Sequence, residues 1–292
     1  MLVWLNGRLV EASRARVSAL DRGLLHGDGL YETWRTYGGE PFAVPAHLRR
    51  LAAAARRLGL PVPGSADLWV RRSRLLVRRN GLPEAAVRLT ITRGDAGEAI
   101  VPARRAAPTV LLLVRPLPDD LARRQRHGIS AVRLPFPRDA SAFWGGLKLV
   151  GHASAVVGRM LAAARRADEG LYVTAAGELT EGTGSNVFAV VRGAVLTPPL
   201  DVGILSGVTR ALVLALARRA GLLVRETPVT ARLVVAADEL FVTASTIEIL
   251  PVVRLDRRRV GSGTPGPVTR ALQTQYSAHV ARAQNAKRRT TA

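Results

Sequence analysis

Cysteine is absent from this chain of 292 residues, which excludes disulfides, thiolate zinc sites, iron–sulfur ligation and a cysteine nucleophile. The same absence fits a reducing compartment. Lysine is nearly absent as well: it occurs only at positions 148 and 287, and the other 41 basic residues are arginine. Aromatic side chains make up 4% of the chain, few for a surface that stacks on nucleic-acid bases. No apolar run reaches the roughly 18 residues of a membrane span. The start, MLVWLNGRLVEASRARV, turns polar too soon for a secretory signal. These absences predict a soluble, cytoplasmic protein with no membrane and no nucleic-acid partner, and no metal site.

What is present is a globular composition, 48% hydrophobic and 22% charged, with a formal charge of +21. The arginines are spread along segments rich in Ala, Leu and Val rather than gathered in runs. A compositional bias toward Arg and Ala explains this more simply than a polyanion-binding surface, and a basic nucleic-acid-binding protein remains only a remote alternative.

The pattern divides the chain into a small α+β domain (1–116), an interdomain linker (117–128), a larger domain (129–282) and a mobile tail (283–292). Residues 1–10 read as a hairpin turning at Asn6-Gly7, a pair that tolerates positive φ at both positions. Leu48, Leu51, Ala55 and Leu58 lie at helical spacing, so 46–59 is predicted as a helix stopped by Gly59, and 66–79 as a second. Residues 86–92 and 109–114 are predicted strands. The stretch PLPDDLARRQRHG, with two prolines and many charges, is the linker. Beyond it the pattern predicts a strand at 129–135, a helix over 148–167, and strands at 170–174 and 186–191. A helix over 207–220, strands at 222–226 and 239–243, and a last helix over 267–282 complete the set.

Four places carry chemistry. Only a primary amine can form a Schiff base with a carbonyl cofactor, because arginine does not deprotonate near neutral pH. Lys287 lies in the polar tail. Lys148 lies among Trp144, Gly145, Gly146, Leu147, Leu149 and Val150, where desolvation would favour the uncharged, nucleophilic amine. A lysine snorkelling at a helix start fits the same context. Glu181 precedes the flexible Gly182-Thr183-Gly184-Ser185 turn, which lets backbone approach a ligand, and an ordinary turn carboxylate reads the same way. Gly207-Val208-Thr209 opens an apolar helix whose N–H groups could hold a phosphate; Ser206 or Thr209 could equally be a plain cap. Thr243, Ser245 and Thr246 cluster hydroxyls past a strand end.

Together these segments resemble the fold-type IV pyridoxal-phosphate enzymes, the class-IV aminotransferase family. That family includes D-amino-acid and branched-chain aminotransferases and aminodeoxychorismate lyase. The resemblance runs from Leu5 to about Gln275. It is carried, in family order, by SALDRGLLHGDGLYETWRTYGGEPFAVPAHLRRL, GLKLVGHASAVVGRMLA, GELTEGTGSNVFAV, GILSGVTRAL and ELFVTASTIEILPV. It implies an α+β two-domain fold, with a small α+β domain and a larger domain with a β-barrel-like core, and a homodimer. It implies pyridoxal 5′-phosphate as cofactor. It also implies amino-group transfer between an amino acid, of D-amino-acid or branched-chain type, and a 2-oxo acid.

By the resemblance, Lys148 forms the Schiff base and carries the proton, and Glu181 pairs with the ring nitrogen. Arg50 rather than Arg49 binds the phosphate, together with the backbone at Val208 and Thr209 and the hydroxyl of Ser245. Tyr31 lines the substrate pocket and Thr246 lies near the substrate carboxylate. Arg35 is a candidate to steer that carboxylate, and a solvated strand arginine fits it too. His47 reads more simply as a core or capping histidine. The chain departs from D-amino-acid aminotransferases after Thr92-Arg93-Gly94, where DAGEAIVPARR lacks their Arg-x-His pair; Arg104 or Arg105 is the candidate replacement. Gly151-His152 stands where lyase-like members show Leu-Asn. Lyase chemistry, releasing pyruvate and 4-aminobenzoate, is the alternative activity.

Overall fold

The computed structural model describes residues 1–97, 99–103, 107–137 and 143–291. They form two compact units. The first comprises Met1–Leu117 together with Leu147–His152, and the second comprises residues 118–146 and those from 153 onward.

The first unit starts with the expected hairpin. Strands β1 (Leu2–Leu5) and β2 (Arg8–Glu11) join through Asn6 and Gly7, both at positive φ (46° and 87°). After the short helix α1 (Arg22–His26) come β3 (Gly29–Tyr37) and β4 (Glu40–Pro41), then helices α2 (Val44–Leu58) and α3 (Ala66–Asn80), then β5 (Ala85–Thr92) and β6 (Val110–Pro116). The helices start two residues before the predicted position for α2 and at it for α3, and Gly59 and Gly81 close them in left-handed conformations. The strands make one antiparallel sheet in the order β2-β1-β6-β5-β3-β4. Alternation along β3 sends Leu30, Glu32, Trp34 and Thr36 to one face. There Trp34 and Trp69 are fully buried with Leu51, Leu76 and Leu89, under α2 and α3. Tyr31, Thr33 and Arg35 take the other face.

The second unit opens with α4 (Leu121–His127), a helix inside the stretch expected as linker, its Leu121 buried. Next follow β7 (Ile129–Arg133), α5 (Ala153–Ala164), β8 (Glu169–Val173), β9 (Leu179–Gly182), β10 (Asn186–Val191) and β11 (Ala194–Thr197). Then come α6 (Val208–Arg219), β12 (Val224–Glu226), α7 (Ala231–Val235), β13 (Glu239–Ala244), β14 (Glu248–Leu255), β15 (Arg258–Arg259) and α8 (Pro267–Thr291). Strands β10-β13-β14-β7-β8-β9 pair in sequence, and β9 returns to β10 through Glu181 and Asn186, closing a barrel. This is the α+β architecture with a barrel core. Ile129, Leu171, Leu179, Val187, Ala189, Leu240, Val242, Leu250 and Val252 fill one continuous core. The alternate positions Phe188 and Phe241 stack at 4.8 Å on the opposite face of their strands.

Two elements differ from the sequence expectation. The helix predicted from residue 148 begins at Ala153, because residues 148–150 are drawn out by pairing with β3. The last helix continues past 282 to Thr291, through helix-forming Ala, Arg, Gln and Lys with no glycine or proline to stop it. No helix among the described residues is long and apolar enough to cross a membrane.

Replacing Phe188 by Ala removes a fully buried ring stacked on Phe241. The expected loss of stability is about 3–5 kcal/mol, read as a lower urea midpoint with unchanged slope. A loss below about 1 kcal/mol would show that the pair is not part of a close-packed core.

Candidate active site

Lys148 enters the first unit as an added piece of strand. Tyr31 N–H donates to the Lys148 carbonyl (3.0 Å), Val150 N–H donates to the Gly29 carbonyl (3.0 Å), and Leu149 lies opposite Leu30. Leu147, just before it, is 2% exposed and belongs to the first unit's core. Glycine is required at 29: a Cβ there would lie 2.7 Å from the Ile91 carbonyl oxygen and 2.8 Å from a Val150 methyl. The pairing brings the Lys148 amine to 3.3 Å from the Tyr31 hydroxyl and 4.3 Å from the centre of its ring. The same hydroxyl makes a short hydrogen bond with His152 Nε2. A cation meets the Tyr31 ring from β5 as well, where the Arg88 guanidinium carbon lies 3.7 Å from the ring centre.

On the other face of β3, Glu32 is 1% exposed. Its carboxylate accepts from Arg50 at Nε (2.7 Å) and Nη2 (2.6 Å), and from His47 Nδ1 (2.8 Å). Burial alone would raise the Glu32 pKa. The paired Arg50 and then His47 outweigh burial and hold it at about 2. Burial dominates at His47 and lowers its pKa, with Arg50 and Lys148 adding to the effect against Glu32. His47 is therefore neutral at pH 7 and donates its Nδ1 proton to Glu32. The outcome is a guanidinium aimed by a buried carboxylate, whereas neighbouring Arg49 is exposed. Arg35 is engaged elsewhere. It pairs with Glu84 (3.2 Å) and sits 4.5 Å from the Tyr37 ring centre, about 13 Å along the strand from Tyr31.

The second unit collects its own set. Glu181, on β9, is 3% exposed and accepts from the Leu205 N–H at 3.1 Å. Asn186 lies opposite Glu181 and donates to the Leu205 carbonyl (2.9 Å). A Cβ on Gly207 would overlap the Asn186 side-chain oxygen, so a side chain at this position would push the Asn186 amide aside. Gly207 caps α6 with no side chain, which leaves the backbone N–H groups of Val208 and Thr209 as donors at a positive helix end. The Gly182–Ser185 turn is held by Glu169, 2% exposed, which accepts from the Thr183 hydroxyl (2.5 Å) and N–H (3.2 Å) and from Ser185 (3.2 Å). Thr243 is buried with no hydrogen-bond partner for its hydroxyl among the described residues, and Ser245 and Thr246 follow it past the strand end.

Thus one cluster joins Lys148 to Tyr31 and another orients Arg50, while Glu181, Val208 and Thr209 gather around the Leu205–Gly207 segment. Glu32, Arg88 and Glu169 are functional candidates that sequence reasoning passed over. A glutamate and an arginine inside otherwise apolar strands were the available signal. Arg104 and Arg105 lie outside the described residues.

The chain matches the Amino-transferase class IV family over residues 29–255. It is 33% identical to the D-alanine aminotransferase of Bacillus licheniformis over 274 residues, covering 94% of this chain and 95% of that protein. Its fold superposes on the Escherichia coli branched-chain amino acid aminotransferase with a TM-score of 0.89 at 29% identity, covering 95% and 93% of the two chains. The branched-chain aminotransferase of the thermophilic archaeon Thermoproteus uzoniensis, solved with norvaline, gives a TM-score of 0.86 at 30% identity over 94% and 93%.

The depressed Glu32 carboxyl contributes stability that is complete above its ordinary pKa of 4.5 and is lost as pH falls through about 2. Denaturant unfolding at stepped pH is expected to show stability dropping across that window. Glu32→Gln is expected to be less stable at pH 7 and to have a flatter acid limb. Identical acid limbs in the two proteins would refute this linkage.

Proposed function

The chain belongs to the class IV amino-transferase family, and on that premise we propose that Lys148 is its reactive amine. The reaction is transfer of an amino group between an amino acid and a 2-oxo acid, with pyridoxal 5′-phosphate as cofactor. The observation that carries this reading is the Lys148 amine at 3.3 Å from the Tyr31 hydroxyl, in a chain whose other basic residues, Lys287 apart, are arginines.

The residues present suit the cofactor. A buried Glu181 carboxylate fits a protonated ring nitrogen, and Thr243 supplies a buried hydroxyl without a partner among the described residues. In the second unit the uncapped start of α6 at Val208 and Thr209 and the Ser245 hydroxyl suit a phosphate, and in the first unit the Arg50 guanidinium suits one as well. Bound pyridoxal phosphate supplies an aldehyde for an amine and a cationic ring that draws electrons from the substrate α-carbon. Lys148 is the base that removes the α-proton and returns it. Tyr31, hydrogen-bonded to both Lys148 and His152, orients the amine, and Thr246 is the candidate neighbour of the substrate carboxylate. The donors proposed are D-amino acids or branched-chain amino acids, the classes named by the relatives.

A homodimer in the cytoplasm is part of the same proposal. Helix α5 exposes Val156, Val157 and Met160 (56, 47 and 66%), an apolar stripe that suits a second copy. Sedimentation is expected to give about twice the 31.2 kDa chain mass, and Met160→Ser with Val157→Ser is expected to shift it toward monomer. A wild-type monomer would refute the dimer.

The central test is the visible spectrum of the purified protein loaded with pyridoxal phosphate. A yellow protein that bleaches with D-alanine, L-leucine or L-glutamate alone is expected. Lys148→Ala and Lys148→Arg are expected to lose the yellow band and all turnover, since neither carries a primary amine. A yellow wild type inert to every donor would favour the lyase, and a wild type that takes up no cofactor would overturn the assignment.

A further inference from the structure

The Tyr31 hydroxyl is held from two sides by one stretch of chain. Lys148 Nζ donates to it at 3.3 Å, and His152 Nε2 meets it in a short hydrogen bond. Lys148 lies in the drawn-out piece that pairs with β3. His152 lies past that piece, where the chain runs by the end of α1. There a Cβ on Gly27, the residue that closes α1, would touch the Gly151 Cα at 3.5 Å. From this close pass the imidazole reaches back to Tyr31, with ring centres 5.3 Å apart and planes tilted by 56°. Tyr31 is buried and His152 half-buried. A hydroxyl has one proton and two lone pairs. The Lys148 amine donates to a lone pair, which leaves the Tyr31 proton for His152.

We propose that His152 carries its ring proton on Nδ1, accepts the Tyr31 proton at Nε2, and so fixes Tyr31 as an acceptor toward the Lys148 amine. An uncharged amine that gives an N–H to an oxygen keeps its lone pair free to attack a carbonyl carbon or to take a proton. Without an acceptor at position 152, the Tyr31 O–H is free to turn to that lone pair and mask it. Arg88, the other cation on the Tyr31 ring, cannot stand in for His152, because a guanidinium has no acceptor. In this scheme His152 touches no reacting atom. It is a positioning residue that acts through Tyr31. The inference deepens the amino-group-transfer reading and rests on it for the identity of the reaction, not for the reactivity of the amine.

The test uses the scarcity of lysine. The full chain, free of cofactor, is treated with substoichiometric acetic anhydride. Acetylation of Lys148 is read by peptide mass relative to Lys287, the other lysine of the chain and the internal standard. His152→Phe keeps a flat ring without an acceptor and is expected to lower that ratio about tenfold, the scale of one hydrogen bond. His152→Gln, whose amide oxygen can stand where Nε2 stands, is expected to bring it back to within about threefold of wild type. In a Tyr31→Phe background His152→Phe is expected to lower the ratio no further, since the hydroxyl it acts through is gone. In the loaded enzyme the Phe and Gln variants are expected to divide the same way in kcat for the donor that bleaches the yellow band, with KM little changed. Equal labelling of wild type and His152→Phe would overturn the proposal, as would no labelling of Lys148 in the wild type. So would an equal fall in the Phe and Gln variants, or a fall that persists without the Tyr31 hydroxyl. If labelling follows His152 yet no amine bleaches the loaded protein, the transfer reading fails and the role of His152 stands. If the protein bleaches while labelling ignores His152, the transfer reading stands and the role of His152 fails.

Discussion

Two backbone hydrogen bonds set the position of the Lys148 amine, the proposed reactive group of this protein. They pair residues 148–150 with Gly29–Tyr31, across more than a hundred residues of intervening chain. Without them Lys148 would be a lysine in a connecting segment. With them its side chain has the direction and reach of a strand residue, and its amine meets the Tyr31 hydroxyl and ring. The pairing depends on β3 leaving its start open: β4 covers only Thr36 and Tyr37 of that edge. It also depends on Gly29, where any side chain would press on Ile91 and Val150. A single edge and a single missing Cβ therefore hold the Lys148 amine beside Tyr31.

The opposite face of β3 solves a different problem. A buried carboxylate is costly unless it is fully hydrogen-bonded and paired. Glu32 meets that condition with Arg50 and His47, both from α2, three residues apart on one face of the helix. The cluster leaves Arg50 little rotational freedom, so an anion reaching it meets a pre-oriented fork rather than a mobile side chain. The same logic holds the Gly182–Ser185 turn, where the buried Glu169 binds two hydroxyls and two backbone N–H groups. In both places a buried carboxylate sets the geometry of the groups around it.

Local features were legible in the sequence because their causes are local. The Asn6-Gly7 turn, the amphipathic α2 and α3 and the strand at 85–92 follow from turn chemistry and periodicity. The Lys148 amine was legible by chemical elimination, but its conformation was not. Its flanking apolar residues suit a helix, and only the distant β3 edge draws them out. Strands β3, β9 and β14 were obscured by what they carry: Glu32 and Thr36 inside β3, Gly182 at the end of β9 and Pro251 within β14. Glu32 makes sense in a strand interior only once Arg50 and His47 are seen across from it. Arg88 was hidden by number, as one arginine in 41. What marks it in the structure is its place against the Tyr31 ring, a property no sequence displays.

The division of labour between the two cations on Tyr31 follows from their chemistry. A guanidinium stays charged at any pH the protein meets, so it can wait for an anion but cannot take a proton. An ammonium can lose its proton and become a nucleophile or base. Under the proposed amino-group transfer, Lys148 is where this arginine-rich chain needs a side chain that can lose a proton.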